Sequence, residues 1–126
     1  MLSEVTTPRF QVYTYSHLFL SQQIHFQLTI LQDSMFIWIG SEGNEILGNL
    51  AIAMPSPLRN NSSTPSTGTT VLTNDVDEAS KQLGQRLATK FNKQFFVSIN
   101  LPSSTDQMML SFVEKKVLAI VKEFFS

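Results

Sequence analysis

Regular alternation of large apolar and polar residues marks the first half of the chain. In "IHFQLTIL" (residues 24–31) Ile, Phe and Leu occupy every second position and His, Gln and Thr fall between them, the pattern of a strand with one buried face. "FQVYTYS" (10–16) is rich in aromatic and β-branched residues, and "MFIWIG" (35–40) follows the turn-like "QDS", which makes the latter and residues 24–31 a hairpin. "NLAIAM" (49–54) reads as a further strand, reached through the Gly-containing "GSEGNEILG", and "TTVLT" (69–73) adds a short one. Helical spacing then takes over. Ala79, Leu83, Leu87 and Phe91 form one stripe, with Asn74 placed to cap the helix and Asp75, Asp77 and Glu78 in its first turn, where the macrodipole favours negative charge. "QFFVSINL" (94–101) is the last strand. Pro102, Ser103, Ser104 and Thr105 precede a second, broader stripe made by Met109, Phe112, Val113, Val117, Ile120, Val121 and Phe124. These elements predict an α+β fold, a mainly antiparallel sheet of about six strands with two helices packed on one face.

Alternation also sorts the strand residues into two faces. Ile24, Phe26, Leu28, Ile30, Met35, Ile37, Ile39, Leu50, Ile52, Met54, Phe95, Val97 and Ile99 make a uniformly large, apolar face for the helices to cover. The other face combines His25, Gln27 and Thr29 with Phe36, Trp38, Ala51, Ala53, Phe96, Ser98 and Asn100. Bulky aromatics among small residues and amides resemble the core of a subunit interface more than a solvated surface. We therefore expect Phe36, Trp38, Ala51, Ala53, Phe96, Ser98 and Asn100 to meet another subunit; the alternative is that Trp38 is a core residue beneath the amino-terminal strand.

Length and composition narrow the picture. At 126 residues and 42% hydrophobic content, the chain suits one domain spanning residues 1–126. Residues 55–68, "PSPLRNNSSTPSTG", offer little to pack and are expected to form a flexible loop; within it Asn60 and Asn61 are formal glycosylation acceptors, read here simply as exposed polar residues. A net charge of −1 gives no drive toward nucleic acid or anionic lipid, so neither is expected as a partner. The amino terminus lacks the pattern of a signal peptide and no stretch is long and apolar enough for a membrane helix. With no Cys at all, these features favour the cytosol, with the nucleus also open. No catalytic constellation assembles: His17 and His25 have no nucleophile or metal motif around them, the carboxylates are scattered, and no Gly-rich loop opens a helix. We expect no enzyme, no catalytic residues, no cofactor and no metal.

In the order and spacing of three blocks, "IHFQLTILQDSMFIWIG", "NLAIAM" and "LGQRLATKFNKQFFVSINL", the chain resembles the proteasome assembly chaperone 4 family. It departs from the animal members chiefly in the amino-terminal segment and the loop at 55–68. The resemblance implies a non-enzymatic chaperone for assembly of the 20S proteasome α-ring. Such a chaperone would act as a heterodimer with the related assembly chaperone 3 and bind a proteasome α-type subunit, with a homodimer left open for the isolated chain. On that reading Lys81, Arg86, Lys90 and Lys93, off the apolar stripe of the first helix, would be partner-binding residues; an ordinary solvated helix face is the plain alternative. Two rivals remain: a dimeric scaffold or adaptor subunit of the trafficking type, and a small-ligand carrier using the aromatic face as a pocket wall.

Overall fold

The computed structural model describes residues 11–19, 21–41, 47–55, 67–72, 79–101 and 107–125. The elements follow in the order β1 (Gln11–Phe19), β2 (Gln22–Ile30), β3 (Ser34–Ser41), β4 (Leu50–Met54), β5 (Thr67–Leu72), α1 (Ala79–Phe91), β6 (Gln94–Asn100) and α2 (Gln107–Phe125). All six strands join one sheet in the order β1-β2-β3-β6-β4-β5. Every neighbouring pair is antiparallel except β3 and β6, which run parallel. A parallel pair needs a long crossover. Here β4, β5 and α1 supply it, and β6 slots between β3 and β4, where its residues from Val97 to Asn100 are buried on both faces.

The α+β class, the strand number and the one-sided helix layer agree with the sequence reading. β1 runs on to Phe19, and β5 begins at Thr67, so Thr67 and Gly68 belong to a strand rather than to the expected loop. Residues 56–66, with Asn60 and Asn61, lie outside the described residues. So do Asn74, Asp75, Asp77 and Glu78 ahead of α1, and residues 102–105 ahead of α2.

Two short turns set the connections. In the β2–β3 hairpin the Leu31 amide donates to the Ser34 carbonyl at 2.9 Å. After α1, Asn92 adopts φ 57° and its amide donates to the Ala88 carbonyl at 2.9 Å. Asn tolerates that left-handed conformation better than most residues, so the chain leaves the helix and enters β6 within two residues.

Both helices cover the same face. α1 packs on β4, β5 and β6. α2 lies over β1, with Phe124 4.9 Å from Tyr13 and Phe112 4.7 Å from Phe19, ring centre to ring centre. Between them and the sheet sits one core, including Ile24, Phe26, Leu28, Met35, Ile37, Phe95, Val97, Leu83, Leu87, Val113 and Val117. Beyond the last β4–β6 pair, Ala51 with Val97, side chains continue the pairing of β6: the Ile99 amide donates to Ser80 Oγ at 3.0 Å, and Asn49 Nδ2 donates to the Ile99 carbonyl at 2.9 Å.

One face assignment is corrected. Ala51 and Ala53 pair with Val97 and Phe95 and lie beneath α1, both buried, whereas Ile52 pairs with Phe96 on the opposite side. Steric need decides this. Gly84 of α1 sits so close that a Cβ placed on it would lie 3.2 Å from the Ala53 Cβ and 3.4 Å from a Val97 methyl. Only small side chains on β4 let the helix seat there, so the larger Leu50, Ile52 and Met54 turn outward. Replacing Gly84 by Leu should therefore lower stability by about 2 kcal/mol, the cost of overpacking a filled contact. A urea-unfolding midpoint equal to that of the unmodified chain would show that α1 is free to lift.

Candidate functional site

The face opposite the helices is built by register. Val12, Thr14, Ser16 and Leu18 of β1 stand beside Gln23, His25, Gln27 and Thr29 of β2; these adjoin Phe36, Trp38 and Gly40 of β3, then Phe96, Ser98 and Asn100 of β6, then Ile52 of β4. Among the described residues no helix covers this face, and only the segment ahead of β4 reaches onto it.

At its centre Phe36 and Phe96, paired across the parallel strands, stack at 6.3 Å with planes 13° apart. Trp38 lies flat along its own strand, over Gly40: a Cβ on Gly40 would fall 2.3 Å from the indole Cη2. The absent side chain at position 40 thus makes room for the ring and keeps the platform level. Gln27, Thr29, Leu31, Phe36, Trp38 and Leu47 surround an open, mostly apolar groove of about 600 Å³. Phe36, Trp38, Phe96 and Ile52 are all half-buried in the lone chain.

Ser98 and Asn100 belong to this face by register but are 0% and 2% exposed. Their polar groups are spent internally. Asn100 Oδ1 accepts from the amides of Gly48 at 2.7 Å and Asn49 at 3.0 Å, while its Nδ2 donates to Ser98 Oγ at 2.7 Å and to the Ile39 carbonyl at 3.3 Å. Asn100 is thus a fastener that pins the approach to β4 onto the middle of the sheet. Of the seven residues expected to meet another subunit, Phe36, Trp38 and Phe96 form a surface, Ser98 and Asn100 lie buried within it, and Ala51 and Ala53 face the other way. Leu50, Ile52 and Met54 take the place of the two alanines; "LAIAM" is apolar at every position, so no local polarity marks its outer face, and the cue lies in the close approach of Gly84 to Ala53.

The histidines separate. His17 pairs with Ile24 on the helix side, its ring edge-on to Phe26 at 5.9 Å, whereas His25 is on the open face with Nδ1 2.8 Å from Ser16 Oγ.

Charge is partitioned between the layers. None of the six strands contains Asp, Glu, Lys or Arg. The two helices and the turn after α1 hold Lys81, Arg86, Lys90, Lys93, Lys115, Lys116 and Lys122 against Glu114 and Glu123. The four cations singled out, Lys81, Arg86 and Lys90 on α1 and Lys93 in the turn after it, do not form one cluster. Lys81 flanks β5, where a Cβ on Gly68 would meet its Cγ at 3.1 Å, while Arg86 lies on the side facing α2 and pairs with Glu114. Five residues apart on a helix, the two point about 140° away from each other. The Lys90 ammonium sits 6.0 Å from the centre of the Phe91 ring.

The described strands form one six-stranded sheet with both helices on one side and an uncharged platform bearing Phe36, Trp38 and Phe96 on the other. The same fold is found in the solved structure of a novel chaperone complex for yeast 20S proteasome assembly, with a TM-score of 0.71, covering 94% of this chain and 100% of that one; at 16% identity the likeness is of fold alone. Residues 23–101 match the family described as proteasome assembly chaperone 4. Proteasome assembly chaperone 4 of Homo sapiens is 40% identical over 103 residues, covering 82% of this chain and 78% of the human protein. The Mus musculus protein of the same name is 39% identical over 104 residues. The chain belongs to the proteasome assembly chaperone 4 family.

The internal bonding of Asn100 separates a structural from an interfacial role. Asn100→Ala leaves the Gly48 and Asn49 amides without their acceptor and should destabilise the lone chain by about 2 kcal/mol, as for buried donors left unpaired. Thermal unfolding of the isolated protein measures this, and an unaltered midpoint would return Asn100 to the contact surface.

Proposed function

We propose that this protein is a non-enzymatic chaperone for assembly of the 20S proteasome α-ring. It pairs through its open sheet face with a protein related to proteasome assembly chaperone 3, binds a proteasome α-type subunit while the ring forms, and acts in the cytosol or nucleus. The observation that supports this best is the sheet face of a chain in this family: Phe36, Trp38, Phe96 and Ile52 side by side, with no formal charge on any strand. Depletion of charge with enrichment of aromatics is the signature of an interface core. An exposed apolar patch of this kind marks a binding surface on a soluble domain.

The division of labour follows from the layers. Pairing uses the sheet, and the α-type subunit is met by the helix layer, through Arg86, Lys90 and Lys93. Lys81, on the far flank of α1, is left out of that contact. Co-expression with a chaperone 3-like protein and with individual α-type subunits tests the assignment: the chain should co-purify with both, and recovery with neither would overturn it.

If Trp38 anchors the pairing, Trp38→Ala should weaken it by about 2 kcal/mol, as expected of a central aromatic residue, while the fold is retained. Calorimetric titration with the partner, alongside circular dichroism of the mutant alone, checks both halves. Loss of the fold at every protein concentration would assign Trp38 to the domain's own core.

A further inference from the structure

We propose that the outer surface of the two helices binds an acidic segment of a partner protein, and that Glu114 holds the place of that segment's carboxylate until it arrives. The Arg86–Glu114 contact joins two helices that each carry a cationic row. On α1, Arg86 and Lys90 are four residues apart and share one side of the helix; on α2, Lys115 and Lys122 are seven apart and share another, two turns in length. All four are exposed. The strands supply no charge of either sign to compete with them.

The Arg86–Glu114 pair joins the helices across the seam between the rows, and its side chains are 59% and 20% exposed. The guanidinium is open to water and the carboxylate partly so, and a pair with so exposed a cation adds little to stability; the guanidinium can therefore exchange one carboxylate for another at small cost to the fold. A guanidinium presents a planar fork that matches a carboxylate in two parallel hydrogen bonds, which favours a second carboxylate as the replacement. Nucleic acid fits less well: the rows are mostly lysine and the whole chain has a net charge of −1. An acidic stretch of chain laid along the seam would meet Lys90, Lys115 and Lys122 while its central carboxylate takes Arg86 from Glu114.

This deepens the reading of the helix layer given above and rests on it only for the natural carrier of the acidic segment, an α-type subunit. Lys115, Lys122 and the internal carboxylate are new to it.

The test uses the full chain and a short fluorescein-labelled oligoglutamate, with binding followed by fluorescence anisotropy at low and moderate salt. Saturable, salt-sensitive binding is expected. Reversing Lys115 and Lys122 together to Glu should weaken it about tenfold or more, as charge complementarity requires. Glu114→Gln should tighten it several-fold by releasing Arg86. Circular dichroism establishes that each variant is folded. Unchanged affinity after the α2 reversals, an equal or weaker affinity in Glu114→Gln, or tighter binding of a single-stranded oligonucleotide of equal charge would each overturn the proposal. Oligoglutamate binding that follows the expected pattern, in a protein that fails to co-purify with any α-type subunit, would instead sustain this surface and remove the proposed function.

Discussion

The seat of α1 on the sheet rests on a contact between three small or branched side positions: Gly84 on the helix, Ala53 on β4 and Val97 on β6. A closely packed interior leaves no slack at such a point. Because the helix comes this near, β4 must show its alanines inward, and its isoleucine, leucine and methionine therefore emerge on the other side next to Phe96. That single requirement assembles the apolar platform from β3, β6 and β4. It also fixes the helix layer on one side, with α2 beside it over β1.

How much of this was readable in the amino-acid order depended on which physical signal each element offered. β2 alternates polar and apolar, so its two faces could be written down at once: Ile24, Phe26 and Leu28 inward, His25, Gln27 and Thr29 outward. β4 offers no polarity to alternate, and the assumption that larger residues go inward chose the wrong face. The correct cue was nonlocal, a glycine some thirty residues later in a helix whose docking could not be known. The adjacency of β3 and β6 was hidden for a related reason, since pairing between distant strands is settled by the whole fold. Charges were easy to locate along α1, but only the helical rotation between Lys81 and Arg86, together with Glu114 on α2, separates them into different surfaces. Asn100 read as an interface amide; its four internal bonds could be counted only once Gly48, Asn49, Ser98 and Ile39 were in place.

The layered distribution of charge ties the mechanics of the fold to its proposed role. A surface without ionised groups can be buried against another without stranding a charge, and it gains little long-range attraction in return. The cationic layer behaves in the opposite way, since charge at a rim acts mainly on the rate of encounter and on its sensitivity to salt. On the function proposed, one small domain would present a slow, tight kind of surface and a fast, exchangeable one, back to back, so that occupation of the first would not obstruct the second.

Natural sheets blunt their outermost strands with lysine, proline or bulges so that stray chains do not add on. Here β1 and β5 are outermost among the described strands, and neither contains a charged residue or a proline. β5 has one such device, a register shift against β4 that leaves Val71 as an extra residue, whereas β1 pairs with β2 without interruption from Gln11 to Phe19. The pairing proposed above uses the sheet face and not its edges, and no described strand closes the β1 edge, so a strand from another chain can add there in the pair as in the single copy.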